Sequence, residues 1–205
     1  MSGETQHSER HRPDSYQRIA DATIDEILKH GVLGLRVAVV AEQSGVSVAL
    51  IYKYFGNRNG LIAKVLSERI ASEYEKDNTI FFERFPVGIK KIDLDELMEI
   101  IPMPDEEFRK QRRWLRIEAK AASQRIPELR TMLASSIERI EKSSEQAIVA
   151  ARELSGNTSP IPAKTIAWVL STFADGFASR DISDHSISDD LYRSFIEDLI
   201  KRHIL

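Results

Sequence analysis

Acidic and histidine side chains near the carboxy-terminal end of the chain form its best candidate for metal chemistry. They lie in the segment DISDHSISDD and are Asp181, Asp184, His185, Asp189 and Asp190. Carboxylate and imidazole groups can ligate a cation. The same segment is also typical of a loop in which Ser and Asp cap the next helix, and acids favour helix starts. We adopt the capping interpretation and expect no metal site.

The sequence also lacks the patterns that bring catalytic groups together. It has no Gly-rich phosphate-binding loop and no nucleophile elbow. Without cysteine, the chain has no disulfide, no thiol chemistry and no cysteine-ligated zinc. We therefore expect no catalytic residue and no cofactor, which disfavours a helical enzyme.

Composition is typical of a globular protein. Of 205 residues, 42% are hydrophobic and 30% charged. No apolar run approaches the roughly 18 residues that a membrane span requires. Residues 1–12 are polar and lack the apolar region of a signal peptide, so a disordered tail and a cytoplasmic protein are expected.

Residues 40–55, VAEQSGVSVALIYKYF, carry small and apolar residues at the offsets that a helix-turn-helix requires. The small side chain of Ala41 lets two helices cross closely, and Gly45 tolerates the left-handed backbone of the turn. Val46 and Ile51 fill the space between the helices. Such a unit lays its second helix in the major groove of DNA.

A longer segment carries a family resemblance. Residues 31–61 read GVLGLRVAVVAEQSGVSVALIYKYFGNRNGL. This segment resembles the DNA-binding domain of TetR-type transcriptional regulators, in which GVS precedes a short helix that ends in Y-x-Y-F. The later segment RWLRIEAKAASQRIPELRTML resembles the sixth and seventh helices of that family. The chain is identified as a member of the TetR/AcrR family.

The resemblance implies DNA contacts on the recognition helix and beside it. Hydroxyl groups, a flexible cation and helix N-termini are the usual phosphate partners. Ser47 is also placed to cap the recognition helix. Arg36 stands where a Ser or Thr cap is usual, so it is expected to contact phosphate instead. The predicted DNA-binding residues are Arg36, Ser47, Val48, Ala49, Leu50, Tyr52, Lys53, Tyr54 and Arg58.

Several of these positions have a second interpretation. Val48 and Leu50 are apolar where family members usually carry polar or small residues. Apolar side chains read thymine methyl groups, but these two also suit the packing of a short helix. Tyr52 and Tyr54 have an alternative as core aromatics, and Lys53 has one as a solvated surface lysine.

Apolar periodicity predicts an all-α fold, with no strand-like alternation. An N-terminal three-helix helix-turn-helix domain is expected over residues 13–60. A helical C-terminal domain for effector binding and dimerisation is expected over 61–205. The predicted helices lie near residues 14–31, 36–44, 48–54, 58–85, 93–101, 105–124, 127–154, 163–180 and 188–204. The fourth is long enough to link the domains.

The last two predicted helices carry more apolar residues than one core requires. The last helix has two adjacent apolar ridges, formed by Leu191, Tyr192, Phe195, Ile196, Leu199 and Ile200. The resemblance implies a homodimer built from these two helices. The alternative is packing within one protomer.

The resemblance also implies an apolar effector cavity between the central helices. The predicted ligand-binding residues are Phe108, Trp114, Ile117, Glu118, Trp168, Phe173 and Phe177. Glu118, with Arg113 or Arg116, is the expected polar anchor, and the effector is expected to be largely apolar. Ordinary core packing is the alternative for each aromatic residue.

Charge and resemblance together define the expected partners. Residues 1–65 hold eight Lys and Arg against seven Asp and Glu, so a few phosphate contacts doubled by dimerisation must supply affinity. The resemblance implies a ligand-responsive repressor on a pseudo-palindromic DNA operator, with no membrane partner. Activation stays open. An adaptor without DNA binding is disfavoured by the intact YKYF and Arg58.

Overall fold

Helices make up nearly all of the part of the chain that the structure describes. The computed structural model describes residues 14–85, 91–100, 107–183 and 188–205, and within these ranges it has no strand. The helices are α1 Asp14–Gly34, α2 Val37–Ser44, α3 Val48–Phe55, α4 Arg58–Arg84, α5 Leu94–Ile100, α6 Glu107–Ser123, α7 Pro127–Ser155, α8 Ala163–Gly176 and α9 Asp189–His203. A short 3-10 helix covers Arg180–Ile182. The all-α prediction is confirmed.

Two predicted helix ends are wrong. Gly31 has φ 68° and ψ 169° and bends α1, but a further turn continues to Gly34. The helix predicted to run to residue 180 ends at Gly176 instead. Beyond it, the N–H groups of Ala178 and Ser179 bond to carbonyls three residues earlier, which tightens the chain into the 3-10 helix.

Side-chain caps fix the starts of three helices. Ser47 Oγ accepts from the Leu50 N–H at 3.2 Å, which starts α3 as predicted. Asn57 Oδ1 accepts from Gly60 N–H at 2.9 Å and starts α4. Ser188 Oγ accepts from Leu191 N–H at 3.4 Å and starts α9.

The acid-rich segment before α9 is partly described. Asp181 pairs with Arg113, and Asp189 pairs with Arg180. Asp184 and His185 lie outside the described residues, as does the tail at residues 1–12. Among the described residues, no group of three or more side chains is placed to hold a metal ion.

Two apolar cores occupy the two ends of the molecule. The first joins α1–α4 to α6 and to the start of α7, where Leu115 and Leu129 are buried among residues of the helix-turn-helix. The second lies between α5, the end of α7, α8 and α9. Helix α4 reaches both, with Ile70 in the first core and Phe81 packed against the second. The first core contains Phe55 and Leu61, on either side of residue 60, and the domain boundary there stays a prediction.

Candidate functional site

Helix α3 has one buried face and one exposed face. Ile51 and Phe55 are buried in the first core. Ala49, Tyr52 and Lys53 are exposed on the opposite side. The preceding turn is left-handed at Gly45, with φ 66°, as its lack of a side chain predicts. The α2–α3 unit therefore presents a short helix whose outer face is free to enter a groove.

The apolar positions on α3 differ in their surroundings. Val48 is half-buried and packs against the first core, which supports its packing interpretation. Leu50 is also half-buried, but it is not among the residues packed against that core. Contact with thymine methyl groups stays a prediction for both residues.

Tyr52 and Tyr54 point to different surroundings. Tyr54 Oη lies 3.0 Å from Ser15 Oγ, and its ring meets Tyr16 edge-on at 5.9 Å. This side chain ties α3 to α1, as its core interpretation requires. Tyr52 is exposed beside Lys53 and is the tyrosine that remains available to DNA.

Arg58 has hydrogen-bond partners within the protein. Its guanidinium lies on the corner between α1 and α2, and its contact with a DNA phosphate stays a prediction. Nη2 donates to the carbonyl oxygens of Val32 at 2.7 Å and Leu33 at 3.1 Å, and Nε donates to that of Leu35 at 3.1 Å. Carbonyl groups at a helix end lack their usual intrahelical donors, and here Arg58 bonds to three of them, although that of Val32 also accepts from the Leu35 N–H at 3.4 Å. In this arrangement Arg58 holds the domain together.

Arg36 has a split environment. Its Nε lies 3.1 Å from Glu26 Oε1, and the Glu26 side chain is only 1% exposed. Removing such a partner leaves a buried charge uncompensated. The Arg36 side chain is itself 61% exposed and makes no cap for α2. Its phosphate contact stays a prediction, alongside a structural role that the sequence did not indicate.

Gly60 is a site residue that sequence reasoning missed. A Cβ built at this position would lie 2.0 Å from the carbonyl oxygen of Phe55. The end of the recognition helix therefore rests directly on the first turn of α4. The available signal was the G-N-R-N-G run at residues 56–60, which puts a glycine just inside a helix start.

A cavity of about 630 Å³ lies between α4 and α6–α9. Trp168 and Phe177 line it, as predicted, and so do both arginines considered as anchors, Arg113 and Arg116. The aliphatic wall, which the sequence did not single out, includes Ile70, Leu133, Ile137, Ile140, Ile148, Leu170, Ile196 and Ile200. The size is typical of small-molecule sites.

The other predicted ligand residues do not line this cavity. Phe108 and Trp114 are exposed on the outer face of α6. Phe173 packs edge-on against Phe195, with ring centroids 5.7 Å apart. Ile117 lies on α6 away from the lining. Residue type suggested these positions, but the orientation of each helix turns them elsewhere.

Glu118 is also outside the cavity, and its position is informative. Its Oε2 accepts a hydrogen bond from the backbone N–H of Val32 at 3.2 Å. Val32 follows the bend at Gly31, and its carbonyl accepts from Arg58. The expected ligand anchor is therefore a contact between α6 and the DNA-binding end of the molecule.

Charged and hydroxyl groups line the side of the cavity formed by α4 and α6. Burial alone would lower the pKa of Arg112, but the carboxylates of Asp77 and Glu73 outweigh it and raise the pKa. Burial raises the pKa of the Tyr74 and Tyr192 hydroxyls, which therefore stay protonated. This region is a network of ion pairs beside an apolar chamber.

The outer faces of α8 and α9 carry large exposed apolar side chains. Trp168 is 59% exposed, Leu191 61% and Phe195 49%. Ile196 and Ile200 of the same ridges are instead buried in the second core. The apolar surplus seen in the sequence is thus divided between the protomer's own core and an open surface.

No described helix combines the length and the apolar character that a membrane span requires.

Comparison with known proteins finds relatives of the N-terminal region in sequence. Residues 19–65 match the family model of bacterial regulatory proteins, tetR family. An HTH-type transcriptional repressor of Streptomyces coelicolor is 36% identical over 53 residues, which is 26% of this chain and 28% of that protein. The match thus spans little more than a quarter of that relative's length.

Solved structures share the fold over nearly the whole chain. A TetR-family regulator from Rhodococcus sp. has a TM-score of 0.72 at 23% identity and covers 93% of this chain and 98% of its own. A regulator from Saccharomonospora viridis, in complex with choline, has a TM-score of 0.72 at 18% sequence identity. The match covers 94% of this chain and 98% of that regulator.

FadR from Bacillus subtilis, in complex with stearoyl-CoA, has a TM-score of 0.61 at 15% identity. The match covers 93% of this chain and 100% of FadR. The likeness extends through the helices that enclose the cavity. Residues 19–65 thus match the tetR family of bacterial regulatory proteins, and the chain shares its fold with solved structures of TetR-family regulators.

Proposed function

We propose that the protein is a homodimeric transcriptional repressor that leaves its DNA operator when a small molecule enters the cavity. One observation carries the proposal. A capped recognition helix with an exposed outer face lies in the same protomer as a largely apolar cavity of about 630 Å³. Repression is preferred over activation because the curated relative is a repressor.

The DNA-binding surface is the outer face of α3 with its flanks. Ala49, Tyr52 and Lys53 are exposed there, and the exposed part of Arg36 lies at the start of α2. The N-terminus of α3, which Ser47 caps, adds backbone amide groups to this surface. A two-fold dimer places two such surfaces about 34–36 Å apart, so that each enters a major groove of a pseudo-palindromic site.

Helix α6 supports a route from the cavity to DNA. Its Arg116 lines the cavity, and its Glu118 accepts from Val32 N–H at 3.2 Å. A ligand that moves α6 therefore acts on the α1–α2 corner that Arg58 also holds. The ligand shifts the population towards dimers whose recognition helices no longer match successive grooves. Helix α4, which spans both cores, is the second route.

The function is tested by selecting binding sites from random duplex DNA with the purified full-length chain. We expect enrichment of an inverted repeat. Lys53→Ala is expected to weaken binding similarly on all selected sequences and to reduce the slope of log K against log salt by about 1. A selection that enriches no sequence would refute the proposed function.

The dimer surface predicts the effect of charge on oligomeric state. The double substitution Leu191→Glu and Phe195→Glu places carboxylates on the exposed face of α9. Dimerisation through this face would bury them without partners, which is costly. Light scattering at micromolar concentration is expected to give the 23.3 kDa mass of one chain, against twice that for the unaltered protein.

Leu33→Glu is the matched control, because Leu33 is also largely exposed, at 76%, but lies near the α1–α2 corner. It is expected to leave the dimer intact. A dimer that survives both glutamates on α9 would place the interface elsewhere.

A further inference from the structure

Helix α6 presents a row of cations to the cavity. Five of its side chains line the space, and their spacing places them along one face: Arg109, Arg112, Arg113, Arg116 and Lys120. The wall provided by α7, α8 and α9 is largely aliphatic. The cavity therefore has a cationic edge and an apolar body.

The carboxylates at this edge are each shared between two cations. Asp77 lies 3.2 Å from Arg112 and 3.7 Å from Arg109. Glu73 lies near both Arg112, at 3.0 Å, and Arg69, at 2.7 Å. Arg69, Arg109 and Arg112 thus share these two carboxylates and form the first cluster with them.

The second cluster lies between α6 and α8. Asp175 pairs with Arg116 at 3.1 Å and also with Lys120. One carboxylate again serves two cations, so a formal positive charge is left. Glu141 of α7 is the remaining acid that lines the cavity, and it has no cation placed against it among the described ion pairs.

The two kinds of ion pair differ in how easily they exchange partners. Arg113 and Asp181 are nearly fully buried and form a two-point contact, so this pair is structural. The Lys120 side chain is 48% exposed, whereas those of Asp175 and Arg116 are 22% and 14% exposed. Lys120 is therefore the cation of the second cluster that a carboxylate from outside reaches first, since its pair with Asp175 is partly solvated.

We propose, building on the proposed function, that the effector is an amphipathic monoanion. Its carboxylate replaces Asp175 as partner of Arg116 and Lys120, and its apolar body lies along the aliphatic wall of α7–α9. A cationic head is disfavoured at the second cluster, where Arg116 and Lys120 outnumber Asp175. A neutral head leaves Asp175 in place and gains no charge-assisted hydrogen bond.

The test compares three probes that share a twelve-carbon tail and differ in the head: dodecanoate, dodecanol and dodecyltrimethylammonium. Each is titrated by calorimetry into the full-length protein below its micelle-forming concentration. We expect dodecanoate to bind about tenfold more tightly than dodecanol, and the ammonium to bind most weakly.

Substitutions in the second cluster locate the head group. Arg116→Gln with Lys120→Gln is expected to reduce the affinity for dodecanoate to that of dodecanol. Asp175→Asn is expected to tighten dodecanoate several-fold while leaving dodecanol unchanged, because only the anion competes with that carboxylate. A purely structural role for Asp175 would not discriminate between the probes. Arg139→Gln, an exposed arginine on α7, is the control for lost charge.

The possible failures can be told apart. Equal or tighter binding of dodecanol or of the ammonium overturns the anionic head, and so does the absence of binding by all three probes. An Asp175→Asn variant that weakens dodecanoate overturns the competition with Asp175. None of these results affects the binding-site selection, which uses no ligand and tests the regulator function separately.

Discussion

Gly60→Ala is expected to lower the free energy of unfolding by about 3 kcal/mol and to abolish specific DNA binding. The new Cβ would lie 2.0 Å from the carbonyl oxygen of Phe55, whereas real Cβ atoms essentially never approach closer than 3.0 Å. The carbonyl oxygen is a backbone atom, and the backbone also fixes the position of the Cβ. Rotation of a side chain therefore cannot relieve the clash. The end of α3 must move away from α4 and take the recognition helix with it.

Urea unfolding followed by circular dichroism measures the stability, and fluorescence anisotropy with a selected duplex measures DNA binding. Gly176→Ala is the matched control, because a Cβ at Gly176 meets nothing within 4 Å. That variant is expected to be as stable as the unaltered protein or about 0.5 kcal/mol more stable. Normal stability and DNA binding in Gly60→Ala would mean that α3 tolerates displacement from α4.

Arg58→Met is expected to lower the free energy of unfolding by about 3 kcal/mol in the absence of DNA. The substitution removes the side-chain donor of the Val32, Leu33 and Leu35 carbonyl groups, of which that of Val32 keeps a 3.4 Å bond from the Leu35 N–H. Unsatisfied polar groups at a helix end are costly, and the α1–α2 corner positions α2 against α3. DNA affinity should fall as a consequence of the disturbed corner.

Arg58→Lys separates this role from phosphate binding. Lysine keeps the charge but lacks the planar fork that reaches several carbonyls at once. If the role is structural, Arg58→Lys should lower the free energy of unfolding nearly as much as Arg58→Met does. A phosphate role predicts unchanged stability, normal affinity for lysine, and for methionine a salt slope reduced by about 1. Lys53→Ala, expected to weaken DNA binding and reduce the salt slope without changing stability, is the reference for the second outcome.

Local geometry explains why the helix-turn-helix was predictable. The turn at Gly45, the cap at Ser47 and the buried position of Ile51 depend on residues a few positions apart. Such constraints leave a direct trace in the sequence. The same holds for most helix bounds, because caps and apolar periodicity act within a few turns.

Long-range partners explain what the sequence missed. The carbonyls that Arg58 holds lie 23 to 26 positions away, and the N–H that Glu118 accepts from lies 86 positions away. Nothing near Arg58 or Glu118 in the chain indicates these contacts. In the sequence, an arginine just after a recognition helix suggests a phosphate contact, and a carboxylate one turn from a tryptophan suggests a ligand pocket. The fold brings each of these side chains to a backbone partner that is distant in the sequence.

Helix rotation explains the mixed outcome for the cavity. Phe173 and Phe177 are one turn apart on or beside α8, yet only Phe177 lines the cavity. Aromatic residues were favoured by type, while the isoleucines of α7 supply much of the wall. The spacing of the α6 arginines was the stronger signal, because it places several cations on one face.

Helix α6 carries Glu118 and the cations proposed to bind the head group, whereas the aliphatic wall lies on other helices, and this separation bears on how such a sensor changes over generations. Substitutions in the aliphatic wall alter which tail fits, and they lie on helices other than the one that carries Glu118. A lineage descended from this chain can therefore acquire a new chemical signal while its output contact at Val32 is inherited unchanged. The same separation makes α7–α9 the part to randomise when building a biosensor for a different molecule.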